Sequence, residues 1–234
     1  MADLPPVCVL AGGRGTRLGA EVRDTPKPLV SVAGRPFLLW VLELLAAHGA
    51  RDVVLCVGYL GDRFAAALAD GGELGLRVQI IDDGPRLLGT AGAVRNAAHL
   101  LGDRWLVLYG DTYLRVDYRA VATAHVESEL PALMTVLRND DRWDTSNVEL
   151  GEGVVRAYNK RAPTSNMRWI DYGLGALTPD ALAVAPDEDD LAELYRILAE
   201  RGDLAAFEAT ERFYEIGTPA ARRETELFLA SRDD

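Results

Sequence analysis

LAGGRGTRLGAEVRDTPKPLV, Leu10 to Val30, follows a short apolar run, Val7 to Leu10, that reads as a first β-strand. Gly12, Gly13, Gly15 and Gly19 leave little side chain in the turn after that strand, so the phosphates of a ligand could approach its backbone N–H groups. Arg14, Arg17, Arg23 and Lys27 place four cationic side chains within the same stretch. Pro26 and Pro28 flank the lysine and restrict its backbone, which helps to aim a flexible amine. The chain has 23 arginines but only two lysines, Lys27 and Lys160, so arginine is its ordinary solvating cation. Where lysine is kept, the compact point charge of an ammonium is the feature that matters. Together these residues predict a polyphosphate site at the end of a strand.

Two familiar glycine motifs do not fit. No lysine stands where a Walker A loop needs one, and Leu18 occupies the third glycine position of a dinucleotide fingerprint. Outward from the loop, Phe37 to His48 has apolar residues at helical spacing, with Pro36 suited to the first helical turn and Gly49 to the C′ position. Asp52 to Gly58 is a second strand and Gly61 to Ala69 a short helix. Leu76 to Ile81 is a third strand, Thr90 to Leu101 a helix with Thr90 as its cap, and Trp105 to Tyr109 a strand running into Gly110-Asp111. This alternation predicts a parallel sheet covered by helices on both faces, whose ligands sit at the carboxyl ends of the strands.

The second half has short strands at Pro131–Arg138, Thr145–Leu150, Val154–Tyr158 and Trp169–Leu177, then a helix over Leu191–Glu200 and a strand near Ala205–Glu208. A final helix begins near Pro219 with Thr218 as its cap. The change near residue 130 divides the single 234-residue domain into two halves, 1–130 and 131–234, the second reading as a subdomain added to the same sheet.

The formal charge of −11 argues against nucleic-acid or anionic-membrane partners. No apolar run approaches the length of a membrane span, and the N-terminus lacks the basic start of a secretory signal. Cys8 and Cys56 lie in strand-like runs and read as buried thiols, so the expected location is cytoplasmic. His48, His99 and His125 fall in helix-like stretches outside the motifs and read as structural or surface residues.

The segment LAGGRGTRLG…TPKPLV resembles the nucleotide-binding signature of the sugar-phosphate nucleotidyltransferases, the pyrophosphorylases that make NDP-sugars. The resemblance spans nearly the whole chain and is nearest to short bacterial enzymes acting on heptose 1-phosphate, mannose 1-phosphate or N-acetylmuramate 1-phosphate. GRPFLLWVLELLAAHGARDVVLCVGYLGD, LLGTAGAVRNA, YGDTYLRVD and FYEIGTPA resemble the heptose 1-phosphate guanylyltransferases in particular. It implies a Rossmann-like, GT-A-like α/β fold: a mainly parallel mixed sheet flanked by helices, with a small β-rich sugar-binding subdomain. On this resemblance residues 1–130 would mainly bind the nucleotide and 131–234 the sugar phosphate.

It also implies roles. Arg17, Lys27 and Asp111 would be catalytic. Leu10, Ala11, Gly12, Gly13, Gly15 and Thr16 would join them around the nucleotide, with Gly89, Thr90 and Gly110. Asp83 or Gly84 would take the base-contacting position, because Arg86-Leu87-Leu88 contains one extra residue. Asn159, Lys160, Asp171, Tyr172 and Gly173 would bind the sugar phosphate, with Asn159 replacing a usual glutamate and Asp171 a usual asparagine. Asp111 would ligate Mg²⁺ with Glu215, which stands where the family has an aspartate. The implied substrates are an NTP, with GTP favoured, and a sugar 1-phosphate; a homodimer is compatible with this reading. Two rivals stand beside it: a cytidylyltransferase for phosphocholine or a phosphonate, whose cationic head could meet Asp171, Tyr172 and Trp169, and a non-catalytic sugar-nucleotide sensor.

Overall fold

The computed structural model describes residues 4–13, 24–70 and 74–231. Strand β1 (Val7–Leu10) is followed by a small hairpin, β2 (Ser31–Val32) and β3 (Arg35–Pro36), and by helix α1 (Phe37–Ala47). Pro36 therefore ends a hairpin strand and caps α1 from outside, rather than occupying its first turn. Then come β4 (Asp52–Val57), α2 (Asp62–Asp70), β5 (Arg77–Asp82), α3 (Gly89–Ala97), β6 (Trp105–Tyr109), β7 (Thr112–Leu114) and α4 (Tyr118–Ser128). The second half supplies β8 (Ala132–Arg138), β9 (Val148–Gly151), β10 (Val154–Tyr158), β11 (Trp169–Leu177), α5 (Pro179–Ala183), α6 (Leu191–Arg201), β12 (Leu204–Ala209), β13 (Phe213–Glu215) and α7 (Pro219–Ala230).

Nine strands form one mixed sheet in the order β5-β4-β1-β6-β11-β8-β12-β10-β9. The first four are parallel, as expected for strands joined by helical crossovers. β11 then runs antiparallel to β6 and carries the sheet into its second half. Alternation within β4 explains why it is apolar throughout: Val53, Leu55 and Val57 face one core, and Val54 and Cys56 the other. α1 and α4 pack on the first face, α3 and α6 on the second. Cys8 and Cys56 are buried free thiols with sulfurs 3.5 Å apart.

Two further expectations change. The strand placed at Thr145 begins instead at Val148. Asn139 donates to the carbonyl of Asp144 and to Ser146 Oγ, and Ser146 Oγ accepts from Asp141 N–H, so side chains hold residues 139–146 as a loop. Thr90 does not cap α3. Its Oγ1 accepts from Leu191 N–H at 2.7 Å, capping α6 across the sheet face. Among the described residues no helix is long and apolar enough to cross a membrane.

Candidate active site

β1 and β6 are adjacent and parallel, so the segments leaving their carboxyl ends converge. Gly110 N–H donates to Leu10 O at 2.9 Å, and a Cβ on Gly110 would lie 2.9 Å from that same oxygen. Only glycine allows the two chains to approach this closely while delivering Asp111 to the mouth of the sheet. Lys27 opens a 3₁₀ turn, Lys27–Leu29, entered from Pro26 and continued by Pro28, so its backbone is fixed on both sides. Its ammonium forms an ion pair with Asp111 Oδ2; the two side chains are 14% and 32% exposed.

Lys27 and Asp111 line a cavity of about 210 Å³ together with Leu10–Gly13, Gly89 and Thr90. Asp83 lines it too, at the end of β5. In the order β5-β4-β1-β6 three strand spacings separate Asp83 from Asp111, about 14 Å. The cavity is thus long enough for a base at one end and phosphates at the other. Asp83 accepts from Leu88 N–H, and burial pushes its carboxyl above the ordinary range against that bond. Gly84 lies beside it on the exposed side, its N–H held by Asp82.

Glu215 reaches the same place through a second pairing. β13 lies antiparallel to β7 with Glu215 opposite Thr112, and Ile216 N–H donates to Asp111 O at 3.1 Å. Burial raises the Glu215 carboxyl; Lys27 opposes the rise and Asp111 adds to it, so the three charges form one cluster. Among the described residues no three His, Cys, Asp or Glu side chains converge as a complete metal cage. The pair Asp111 and Glu215 beside this cavity is a donor set that could hold Mg²⁺, which takes one or two protein oxygens and fills its remaining positions from ligand oxygens and water.

The neighbouring cavity, about 340 Å³, is lined by Asn159, Lys160, Arg161 and Asp190, and shares Thr90 and Tyr109 with the first. Lys160 pairs with Asp171 at 2.9 Å, and its ammonium lies 5.5 Å from the centre of the Tyr109 ring. The Asp171 side chain is only 3% exposed. It accepts from Tyr158 OH at 2.9 Å and from Gly173 N–H at 3.0 Å. Burial alone would raise its carboxyl, but Lys160 and these donors bring it below the ordinary range. Burial likewise depresses Lys160, and the carboxylates of Asp171, Asp190 and Asp111 more than reverse that. A register irregularity in β11 between Asp171 and Gly175 bends the strand where it passes the site.

Several sequence expectations are corrected. Tyr172, expected at the sugar phosphate, does not line this second cavity. It is adjacent to Asp171 on a strand, so it faces the opposite side, where it is buried in the core edge-on to Phe213. Trp169 has Arg138 stacked over its ring and donates to Glu208, so it contributes no open aromatic wall. Asn159 lines the cavity, but its Oδ1 is engaged by Arg161 and Ala162 N–H in a tight turn. Gly15, Thr16 and Arg17 lie outside the described residues. Tyr109 was missed by sequence reasoning. Burial and the carboxylates of Asp171, Asp190 and Asp111 push its phenol well up, and its position at the end of an apolar strand before Gly110-Asp111 was the available signal.

The nucleotidyl transferase family profile matches residues 7–159. D-glycero-alpha-D-manno-heptose 1-phosphate guanylyltransferase of Campylobacter jejuni is 30% identical over 74% of this chain and 75% of its own length. Glucose-1-phosphate cytidylyltransferase of Salmonella typhi is 26% identical over 86% of each chain. HddC from Yersinia pseudotuberculosis, solved alone and complexed with GMP-PN, superposes with TM-scores of 0.82 and 0.80 at 26% and 25% identity, covering 97% of this chain and 100% of that one.

Proposed function

The chain belongs to the nucleotidyl transferase family, and we propose that it converts an NTP and a sugar 1-phosphate into an NDP-sugar and pyrophosphate in a Mg²⁺-dependent reaction, with GTP and D-glycero-D-manno-heptose 1-phosphate as the favoured pair. The observation that carries this reading is the placement of the chain's two lysines. Each stands against a carboxylate, Lys27 on Asp111 and Lys160 on Asp171, in two cavities joined through Thr90 and Tyr109. One cavity suits a nucleoside triphosphate and the other a phosphorylated sugar.

An oxygen of the sugar 1-phosphate attacks the α-phosphorus of the NTP. The new P–O bond forms as the bond to the bridging oxygen of the β-phosphate breaks, and pyrophosphate leaves with that electron pair. The nucleophile is already ionised near neutral pH, so positioning and charge neutralisation replace a dedicated base. Lys160 holds the incoming phosphate, and Lys27 stabilises charge gathering at the reacting phosphates. Arg17 and the amides of the glycine-rich loop would hold the β- and γ-phosphates. Asp111 and Glu215 would hold Mg²⁺, which when bound neutralises charge on the α-phosphate and leaving group.

At the base end, the Asp83 carboxylate matches the N1–H and N2–H donors of guanine, and the GMP-PN complex of the Yersinia relative supports the same choice. The phosphocholine reading is weakened, because Tyr172 is in the core, Arg138 lies over the Trp169 ring and Asp171 is already paired with Lys160. Pyrophosphate release from five NTPs, each against heptose, mannose, glucose and N-acetylmuramate 1-phosphates and phosphocholine, with and without Mg²⁺, tests the proposal. GTP with heptose 1-phosphate should turn over fastest. Another sugar 1-phosphate as best acceptor would revise the substrate alone, phosphocholine as best acceptor would establish the cytidylyltransferase reading, and NDP-sugar binding without turnover would establish a sensor.

A further inference from the structure

Tyr109 is the last residue of β6 and lines both cavities of the candidate site. Thr90 lines both as well, but its hydroxyl is committed to Leu191 N–H. The strand end that carries Tyr109 is fixed: Gly110 N–H donates to Leu10 O, and Asp111 pairs with Lys27. Gly173 of β11 packs on the ring. Its φ is +95°, and a Cβ there would stand 3.7 Å from Tyr109 Cδ2. The ring is thus held from two strands at the place where the cavities meet.

The ammonium of Lys160 is held in two different ways. Asp171 Oδ2 takes it at 2.9 Å, a contact with which an entering phosphate competes directly. The ring centres of Tyr109 and Tyr158 lie 5.5 and 5.7 Å from the same nitrogen, inside the roughly 6 Å reach of a cation–π contact. A ring face attracts a cation through its quadrupole and makes no hydrogen bond of fixed direction, so the ammonium can turn toward a new oxygen without losing it. The Lys160 side chain is 43% exposed and lines the second cavity, so that turn is open to it. Tyr158 is fully committed: its hydroxyl donates to Asp171 Oδ2, its ring is buried, and it lines neither cavity. Burial and the carboxylates of Asp171, Asp190 and Asp111 keep the Tyr109 phenol protonated near neutral pH, so what it offers Lys160 is the ring and not a base.

We propose that Tyr109 is a positioning residue for Lys160: its ring keeps the ammonium at the junction of the two cavities while Lys160 turns from Asp171 to the phosphate of the incoming acceptor. The inference rests on the proposed transfer reaction for the molecule that carries this phosphate; the contact between ring and ammonium stands without it. One strand end then sets both lysines, Lys27 through Asp111 and Lys160 through Tyr109. The spacing of the two cations becomes a property of β6 rather than of two long side chains.

The full chain has only two lysines, so labelling lysine with ¹³C at Cε gives two side-chain signals, told apart with Lys160→Arg. In the wild-type protein the Lys160 ε protons should show nuclear Overhauser contacts to the Tyr109 ring. Those contacts should persist when mannose 1-phosphate, the probe, is added to saturation and moves the Lys160 signal. Their absence in the free protein, their loss on binding, or a Lys160 signal that the probe leaves in place would overturn the proposal. In steady state, Tyr109→Leu should raise KM for the sugar 1-phosphate about five- to tenfold, the scale of a partly desolvated cation–π contact. KM for the NTP should change less than about twofold, and Tyr109→Phe, which keeps the ring, should stay within about twofold of wild type on both. Equal losses in Tyr109→Phe and Tyr109→Leu would assign the effect to the hydroxyl, and an equal rise in both KM values would make Tyr109 a wall of the nucleotide cavity; either result overturns the proposal. The wild-type spectra decide the matter if Tyr109→Leu does not fold. Failure of the transfer reading shows separately, as no pyrophosphate from any pair of NTP and acceptor, and the spectra then still decide the role of the ring.

Discussion

Thr90→Val removes one hydroxyl and leaves the side-chain volume almost unchanged, so its effect isolates one hydrogen bond. Thr90 Oγ1 accepts from Leu191 N–H at 2.7 Å, while Asp190 caps the next free donor, Ala192 N–H. Ala91 N–H donates back to Asp189 O at 2.9 Å, so residues 89–91 and 189–191 are tied reciprocally. Gly89 makes this approach possible: its φ is +74°, and a Cβ there would collide with the backbone oxygen of Asp189. Leu191 is fully buried, so water cannot replace the lost acceptor. An unmatched buried donor costs roughly 1–3 kcal/mol, and a lost helix cap about 1 kcal/mol. These are two descriptions of one loss and are not summed. At about 2 kcal/mol, a domain of this size should lose about 4–8 °C in Tm. Urea denaturation followed by circular dichroism, with calorimetry alongside, measures the change. Because Asp190 and Arg196 line the cavity proposed for the sugar 1-phosphate, KM for that substrate should rise more than KM for the NTP. Thr90→Ser, which keeps the oxygen, should lie much nearer wild type. A Thr90→Val protein within about 0.5 kcal/mol of wild type, the ordinary range of an inconsequential substitution, would show that the hydroxyl does not cap α6.

Lys27→Ala should leave the far-UV circular dichroism unchanged and lower kcat/KM at least about a hundredfold, the scale of one preorganised charge contact to a reacting group; near-normal turnover would remove Lys27 from the machinery. Asp111→Asn should fold normally and lose divalent-dependent turnover, whereas wild-type activity at millimolar Mg²⁺ would make Asp111 a turn residue. Burial raises the Glu215 carboxyl, so the folded state binds its proton more tightly than the unfolded chain does. The stability it contributes is present below its ordinary value of 4.5 and is lost as pH rises through the raised folded value. Glu215→Gln should therefore flatten that fall in stability while reducing turnover nearly as much as Asp111→Asn, and Glu215→Asp should retain measurable activity. An unchanged pH slope in denaturation together with normal turnover in Glu215→Gln would remove Glu215 from the charge cluster.

Most of the parallel half of the sheet was legible because β1, β4 and β6 are buried on both faces. Runs such as Val53–Val57 have nowhere to go in a 234-residue chain except between two helical layers. What escaped were elements held by long-range contacts. β7 is three residues long and exists because Phe213–Glu215 pairs with it, a hundred residues away. Thr90 carries an ordinary local capping signal, but the N–H it meets belongs to a helix that begins at Leu191. Tyr172 was assigned to the sugar site with its neighbour Asp171 although strand parity allows only one of the two to face it. The apolar partners of Tyr172, among them Phe213, were not visible in sequence.

At the candidate site the residue types were readable and their pairing was not. Lys27 and Asp111 are 84 residues apart, yet they form one ion pair. Asp171, in place of the family's asparagine, would be an uncompensated buried charge without Lys160, Tyr158 OH and Gly173 N–H around it. Each lysine thus rests on a carboxylate in the free protein, its charge balanced in place. An entering phosphate does not have to order a floppy amine. It has only to compete with a carboxylate for an ammonium that is already positioned, and the Asp111 oxygen released in that exchange is the one proposed to turn to Mg²⁺. At the second cavity the partner of Lys160, Asp171, has two further donors, so on the proposed reading its negative charge would stay supported if Lys160 moved to a phosphate. The substitution of aspartate for asparagine is therefore consistent with a working phosphate site, because the buried charge it adds is met by groups that remain after the ammonium leaves.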